Sequence, residues 1–275
     1  MTDLYAVIGN PVAHSKSPLI HAAFARAQAQ ALEYQRLISE LGAFVATVKA
    51  FRTQGGKGLN VTVPFKLEAF AFANTLTERA QQAGAVNVLV FEGDHTRGDN
   101  TDGIGLVRDI VSNLGHAVQG KRVLLLGAGG AARGAVGPLL LEAPKSMTIA
   151  NRTADKAHAL ATQFAAYAGA CTLNAQGYAA LAGHQFDIII NATSAGLSDG
   201  MPDLPGGLYA TGALAYDMMY GRETPFMKHA QAAGATVADG LGMLVEQAAE
   251  SFLIWRGVRP ATAPVIDALR RGELT

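Results

Sequence analysis

The sequence predicts an α/β protein of two domains, and three observations carry that prediction. First, residues 122–133 read RVLLLGAGGAAR: an apolar run, then Gly127-Ala128-Gly129-Gly130-Ala131-Ala132, then a helical pattern. This matches G-x-G-x-x-G/A, whose glycines make a tight turn and let the backbone approach a pyrophosphate seated on the next helix's amides. A lone glycine pattern is weak, and a plain strand–turn–helix corner remains open on this stretch alone. The strand before it and the helix after it are nevertheless the setting the motif requires. Second, strand-like and helix-like segments alternate on both sides of the motif, which implies mostly parallel sheets. Third, 275 residues that are 49% hydrophobic and 16% charged suffice for two cores of ordinary size. An N-terminal, mostly parallel α/β domain should therefore precede a doubly wound, Rossmann-type dinucleotide-binding domain, with a cleft between them.

Composition narrows the partners. Lys plus Arg and Asp plus Glu both number 22, so the net charge is zero. That gives no support for a nucleic-acid or membrane-surface partner. The single cysteine, Cys171, permits no intramolecular disulfide and reads as a buried small hydrophobe. The N-terminus lacks a basic flank followed by a long apolar run, and polar residues interrupt every apolar stretch before membrane-span length. The expectation is a soluble, cytoplasmic protein with no repeat and no metal site.

The elements follow in order. Residues 4–8 form a short apolar strand, broken by Gly9-Asn10-Pro11. After the loop His14-Ser15-Lys16-Ser17, Ser17 is placed to cap a helix that Pro18 opens and that runs to about Ala29. A strand at 33–37, an amphipathic helix at 41–51, a break from Gln54 to Gly58 and a strand at 59–63 come next. Helices at 65–73 and 77–83 precede a hairpin of 86–91 with 96–98, which should form an antiparallel edge. A helix over 103–113 leads into the glycine motif. Beyond it come strands at 146–150, 170–173, 187–190, 213–217 and 236–238, with helices at 153–166 and 223–233 and a helical turn at 178–181. Helices at 241–255 and 263–270 follow the last strand. The domains are thus 1–102 and 103–239, with 240–275 folding back on the first.

Which dinucleotide is held should show after the second strand of the later domain. Ala150 is followed by Asn151-Arg152-Thr153, with no carboxylate before Asp155 to accept from a ribose 2′-OH. Arg152 offers a planar fork suited to a 2′-phosphate, and Asn151 and Thr153 can add donors, so NADP is favoured over NAD. Thr153 also suits a helix N-cap.

Three polar clusters in the first domain are hard to explain as scaffold. Ser15 and Ser17 flank Lys16 at a helix start, where a small carboxylate could sit. In NVTVPFK from Asn60, Asn60 and Thr62 share one strand face, and Lys66 falls in the first turn of the next helix. The macrodipole disfavours a cation there, which eases release of its proton and suits general acid–base work. An ordinary exposed lysine is the competing explanation. In GDNTDG from Gly98, Asp102 could be only an N-cap, yet it stands at the domain junction, where a carboxylate could orient Lys66.

These stretches resemble the shikimate dehydrogenases, and the resemblance spans essentially the whole chain. It is carried by GNPVAHSKSP from Gly9, NVTVPFK from Asn60, AVNV from Ala85, GDNTDG from Gly98, GAGGAAR from Gly127, NRT from Asn151, NATSAG from Asn191, YDMMY from Tyr216 and DGLGMLVEQAA from Asp239. The resemblance implies that Ser15, Ser17 and Tyr220 hold a substrate carboxylate. It implies that Thr62, Asn87, Asp102 and Gln247 bind ring hydroxyls, with Lys66 as acid/base and Asp102 orienting it. It assigns NADP to Gly127, Ala128, Gly129, Gly130, Ala131, Asn151, Arg152, Thr153, Lys156, Met218 and Gly240. Asn87 in an apolar strand-like run and Gln247 on an apolar helix are otherwise oddities that demand partners. The implied reaction is reversible reduction of 3-dehydroshikimate to shikimate by NADPH, and a homodimer is compatible with the sequence. The alternatives are an NAD-dependent quinate/shikimate dehydrogenase, a relative acting on tetrahydrofolate derivatives, and a non-catalytic NADP-binding protein.

Overall fold

The computed structural model describes residues 2–193 and 200–274, so Ser194, Ala195 and Gly196 of the NATSAG motif lie outside the described residues. The chain divides into two compact units, Met1–Gly105 with Val245–Thr275, and Leu106–Leu244. These limits differ from the expected breaks at 102/103 and 239/240. Each falls inside a continuous helix, Asp102–Arg108 and Leu241–Arg256, and not in a Gly/Pro-rich linker.

The first unit holds a six-stranded sheet of β1 (Asp3–Gly9), β2 (Leu32–Ile38), β3 (Gly56–Val61), β4 (Thr75–Leu76), β5 (Val88–Glu92) and β6 (His95–Asp99), in the order β2-β1-β3-β5-β6-β4. β1 is parallel to β2 and β3, and β4 is parallel to β6, while β5 is antiparallel to both β3 and β6. The reversed strand is therefore internal, which corrects the expected antiparallel edge. The β5–β6 hairpin is laid into the sheet, and the short β4, unread in the sequence, pairs on its outer side. β1 is buried over most of its length while β2 alternates, as an interior and an edge strand should.

Gly56 to Gly58, read as a helix break, open β3 instead. A Cβ at Gly58 would lie 2.5 Å from Trp255 Nε1 and 2.7 Å from the Leu89 carbonyl oxygen. Glycine in this strand marks a close approach, and Trp255 Nε1 donates to that carbonyl at 3.2 Å. One face of the sheet packs on α2 (Phe44–Thr53) and α3 (Lys66–Phe72), where Phe44 and Phe65 stack with centroids 5.4 Å apart. Each fully buried ring contributes roughly 1.5–3 kcal/mol. Phe65 immediately precedes Lys66, so this core contact fixes where that lysine emerges.

α1 (Ser17–Ala27) starts one residue earlier than expected. Lys16 occupies the N-cap with helical dihedrals, and Ser17 is inside the helix, so Ser17 does not cap it. α4 (Glu78–Ala83) is capped by Thr77, whose Oγ1 accepts from the Ala80 amide, and ends at Gly84 in the left-handed region. α5 (Asp102–Arg108) continues as a π-turn over Asp109–Asn113.

The second unit contains β7 (Arg122–Leu126), β8 (Ser146–Ala150), β9 (Thr172–Gln176), β10 (Phe186–Asn191), β11 (Tyr209–Asp217) and β12 (Thr236–Asp239), all parallel in the order β12-β11-β10-β7-β8-β9. This is a doubly wound sheet whose strand order reverses between β7 and β10, the place where such sheets bind ligands. Its helices are α6 (Gly130–Leu141), α7 (Ala154–Phe164) and α8 (Pro225–Ala232). Thr153 holds the N-cap position of α7, but its side chain makes no capping bond. Cys171 is buried just before β9. α9 (Leu241–Arg256) and α10 (Ala263–Arg270) complete the chain. No helix among the described residues is long and apolar enough to cross a membrane.

Candidate active site

In the first unit the sheet, its loops and α9 bring four expected residues, Lys66, Asp102, Asn87 and Gln247, into one hydrogen-bonded neighbourhood. Lys66 is the first residue of α3, and its Nζ lies 2.5 Å from Asp102 Oδ2. The lysine side chain is 30% exposed and the aspartate 8%, so the pair keeps one cation accessible beside a buried anion. Asp102 is the first residue of α5, with its carboxylate committed to Lys66 and Asn87, which excludes the N-cap role. Asn87 lies just ahead of β5 and not within a strand, and it is buried. Its Nδ2 faces three acceptors, Asp102 Oδ1 at 2.8 Å, Thr101 Oγ1 at 3.1 Å and Gln247 Oε1 at 3.1 Å. Two protons cannot serve three acceptors at once, so part of this set is free to take a ligand hydroxyl.

Thr62 sits one residue past β3, its amide donating to the Ile8 carbonyl at 2.9 Å. Its methyl occupies the space a Cβ at Gly9 would need, which explains the glycine at the end of β1. Ser15 Oγ donates to Ser17 Oγ at 3.1 Å and accepts from the Ser17 amide at 3.3 Å. Arg36 grips the Ser15 carbonyl through Nε at 3.1 Å and Nη2 at 2.7 Å, so the serine loop is held by a residue the sequence did not single out. Behind these groups Asn60 accepts from Tyr34 Oη at 2.7 Å and donates to Ser251 Oγ at 2.9 Å. Thr101 donates its amide to Asn87 Oδ1 at 2.8 Å. Asn60, Tyr34, Thr101 and Ser251 are thus a polar layer beneath the expected residues. Only their polarity inside apolar segments hinted at it.

In the second unit the glycine turn has the geometry its motif requires. Gly127 sits at φ +109°, and a Cβ there would lie 3.1 Å from the Ala192 carbonyl oxygen. Gly129 is extended and, like Gly130, has open space where a side chain would project. α6 starts at Gly130 with no side-chain cap, so its first amides are left for water or an anion. Ala128 and Ala131 line the same turn. This cradle fits a pyrophosphate.

At the end of β8, Asn151 Nδ2 donates to the Thr153 carbonyl at 2.9 Å, which orders the turn. Arg152, Thr153 and Lys156 are exposed, and neither cation forms an ion pair among the described residues. Free donors here fit a 2′-phosphate. Met218 follows β11, its amide donating to the Asn191 carbonyl at 3.0 Å. A Cβ at Gly240 would collide with the Met218 carbonyl, so only glycine lets β12 turn into α9 there. Asp217, fully buried, was missed in the sequence. It accepts from Thr224 Oγ1 at 2.5 Å, Met219 N at 3.0 Å and Asn191 Nδ2 at 3.2 Å, and so sets the loop that carries Met218 and Tyr220. Burial raises the pKa of the Tyr220 phenol, which remains a donor at neutral pH.

Comparison with known proteins identifies the family. Residues 7–89 match the shikimate dehydrogenase substrate binding domain, 109–198 the shikimate / quinate 5-dehydrogenase family, and 240–270 the shikimate 5'-dehydrogenase C-terminal domain. The shikimate dehydrogenase (NADP(+)) of Methylobacillus flagellatus is 60% identical over 269 residues, 98% of this chain and 99% of that one. That of Aromatoleum aromaticum is 60% identical over 271 residues, 98% and 97% of the two chains. Shikimate 5-dehydrogenase from Thermus thermophilus, solved in complex with NADP(H) and shikimate, superposes with a TM-score of 0.87 at 32% identity over 98% of this chain and 99% of that chain. The chain belongs to the shikimate dehydrogenase family.

Proposed function

We propose that this chain catalyses the reversible NADPH-dependent reduction of 3-dehydroshikimate to shikimate. The observation that carries the reading is the Lys66–Asp102 pair at 2.5 Å, joined through Asn87 to Gln247. NADPH, when bound, supplies the hydride that reaches the ketone carbon. Charge then develops on the ketone oxygen, and the Lys66 ammonium stabilises it and delivers the proton. In the reverse direction the Lys66 amine takes the proton from the hydroxyl. Asp102 holds the ammonium in place, and Asn87, Gln247 and Thr62 orient the ring hydroxyls, so the reacting oxygen meets Lys66 in one geometry. Ser15, Ser17 and Tyr220 donate to the substrate carboxylate. Gly127, Ala128, Gly129, Gly130 and Ala131 hold the diphosphate, and Asn151, Arg152, Thr153 and Lys156 hold the 2′-phosphate. Met218 and Gly240 complete the dinucleotide site.

The test is to mix the protein with 3-dehydroshikimate and NADPH and identify the product. Shikimate formed with loss of the reduced-nicotinamide absorbance supports the reading. Binding of both ligands without turnover rejects it in favour of a non-catalytic binding protein. Arg152→Ala should raise the KM for NADP by about tenfold or more, the loss of a charge-assisted pair, and leave the weaker use of NAD unchanged. Equal loss on both cofactors would contradict the 2′-phosphate role. The same reading places the enzyme in the cytoplasm and leaves a homodimer to be decided by sedimentation velocity.

A further inference from the structure

We propose that Arg79 is a positioning residue for the acid–base pair: its guanidinium ties the Asp99–Asp102 loop to helix α9, and so aims Asp102 at Lys66 and holds Gln247 beside Asn87. The inference rests on the reading of Lys66 and Asp102 given above. Arg79 lies on α4, in a stretch, TERAQQA, that reads as an ordinary solvated helix. Its fork grips Asp99 through Nε to Oδ1 at 2.6 Å and Nη2 to Oδ2 at 2.8 Å, and Nη1 reaches Glu250 Oε1 at 3.2 Å.

From Asp99 the connection runs to Asp102 through buried groups only. Asp99 Oδ1 also accepts from the Asn100 amide at 2.7 Å and from Thr77 Oγ1 at 2.6 Å. Asn100 Oδ1 accepts from the Asp102 amide at 3.1 Å, while its Nδ2 is pinned to the Ala85 carbonyl at 3.0 Å. Each of Asp99, Asn100 and Asp102 is 5% exposed or less. Burial pushes the Asp99 carboxyl up, yet the Arg79 fork and the Thr77 hydroxyl outweigh it and hold that carboxyl below its ordinary range. In the other direction, Glu250 lies three residues after Gln247 on α9, on the same helix face. Arg259 fastens the far side, donating to Glu250 Oε2 at 2.8 Å and pairing with Glu246.

Three buried carboxylates shared between two guanidiniums are a poor way to gain stability, because desolvating the charges offsets most of their attraction. What a bidentate fork adds is direction. Lysine cannot reproduce it, being a point charge on a flexible stem.

The test compares wild type, Arg79→Lys, Glu250→Gln, Asp102→Asn and Arg79→Lys combined with Asp102→Asn, assayed with shikimate and NADP well below each thermal midpoint. Arg79→Lys is expected to lower kcat about tenfold or more and to raise the shikimate KM, with the NADP KM unchanged. Glu250→Gln leaves the Asp99 fork intact, and is expected to raise the shikimate KM severalfold with less effect on kcat. On the Asp102→Asn background, Arg79→Lys should cost less than about twofold in kcat, since its route passes through Asp102. Wild-type kcat and shikimate KM in Arg79→Lys would overturn the proposal, as would a full multiplicative loss in the double variant. Should Arg79→Lys not fold, an unchanged shikimate KM in Glu250→Gln overturns it. A wild type that fails to couple shikimate to NADP reduction overturns the functional reading instead, and is seen before any variant is compared.

Discussion

Lys66→Ala should lower kcat for shikimate oxidation by about 10²- to 10⁴-fold, the range for loss of a general acid–base group, while the KM values for shikimate and NADP change little. The side chain removed is a cation at the first position of a short helix, where the backbone amides disfavour it. It stays there because Asp102 lies 2.5 Å away and is itself fastened by Asn87. That arrangement commits a buried carboxylate to orienting one ammonium. In the proposed function, substrate affinity rests instead on Ser15, Ser17, Thr62, Asn87 and Gln247, which the substitution leaves alone, so the loss should fall on kcat. Steady-state kinetics in both directions check this. Turnover near wild type would remove Lys66 from proton transfer, and a rise confined to KM would make it a binding group only.

The second large effect is on stability. His21 is fully buried on α1, stacked on Tyr34 with centroids 4.2 Å apart and planes 6° from parallel, and tilted against Trp255 at 5.5 Å. Neither ring nitrogen has a partner among the described residues. Burial drives its pKa down to about 3, outweighing the opposing effect of nearby Asn60. An unfolded histidine titrates near 6.5. Between those values the unfolded chain binds a proton that the folded one refuses, so stability is complete above about pH 6.5 and declines as the pH falls toward 3. The slope from this one residue is about 1.4 kcal/mol per pH unit, and the whole window amounts to roughly 5 kcal/mol. His21→Phe should flatten that slope, whatever it costs through overpacking at neutral pH. Urea unfolding at pH 7 and at pH 4.5 measures it. Equal pH dependence in wild type and variant would show that His21 is not the acid-sensitive group.

The second unit is legible in sequence because its information is local. A strand, a glycine turn and a helix stand next to one another from Arg122 to Leu141, and the parallel direction of the strands follows from the alternation. The absence of a carboxylate after Ala150 is equally local. The first unit is less legible, since its decisive partners are far apart in the chain. Asp102 offers two readings in sequence, a helix cap or a partner of Lys66, and the fold decides between them, with Lys66, 36 residues earlier, claiming its carboxylate. Ser17 looks like a cap too, but Lys16 takes that position and the serine hydroxyls face each other. Gly56 and Gly58 read as a break because the reason for glycine at Gly58, the ring of Trp255, lies at the other end of the chain. Arg79 gives no local signal at all, its partners being 20 and 171 residues away. The limits of the two compact units carry no local signal for a similar reason, both falling inside helices with no break in composition to mark them.

The central claim is that Lys66, held by Asp102, serves a dehydrogenase that couples shikimate to NADP. Its most direct test is the appearance of reduced-nicotinamide absorbance with shikimate or quinate against NADP or NAD, four combinations of the same purified chain. The account predicts a fast rate with shikimate and NADP, a much slower one when either is exchanged, and loss of the fast rate in Lys66→Ala. Comparable or faster turnover of quinate with NAD, or a fast rate that survives in Lys66→Ala, would contradict it.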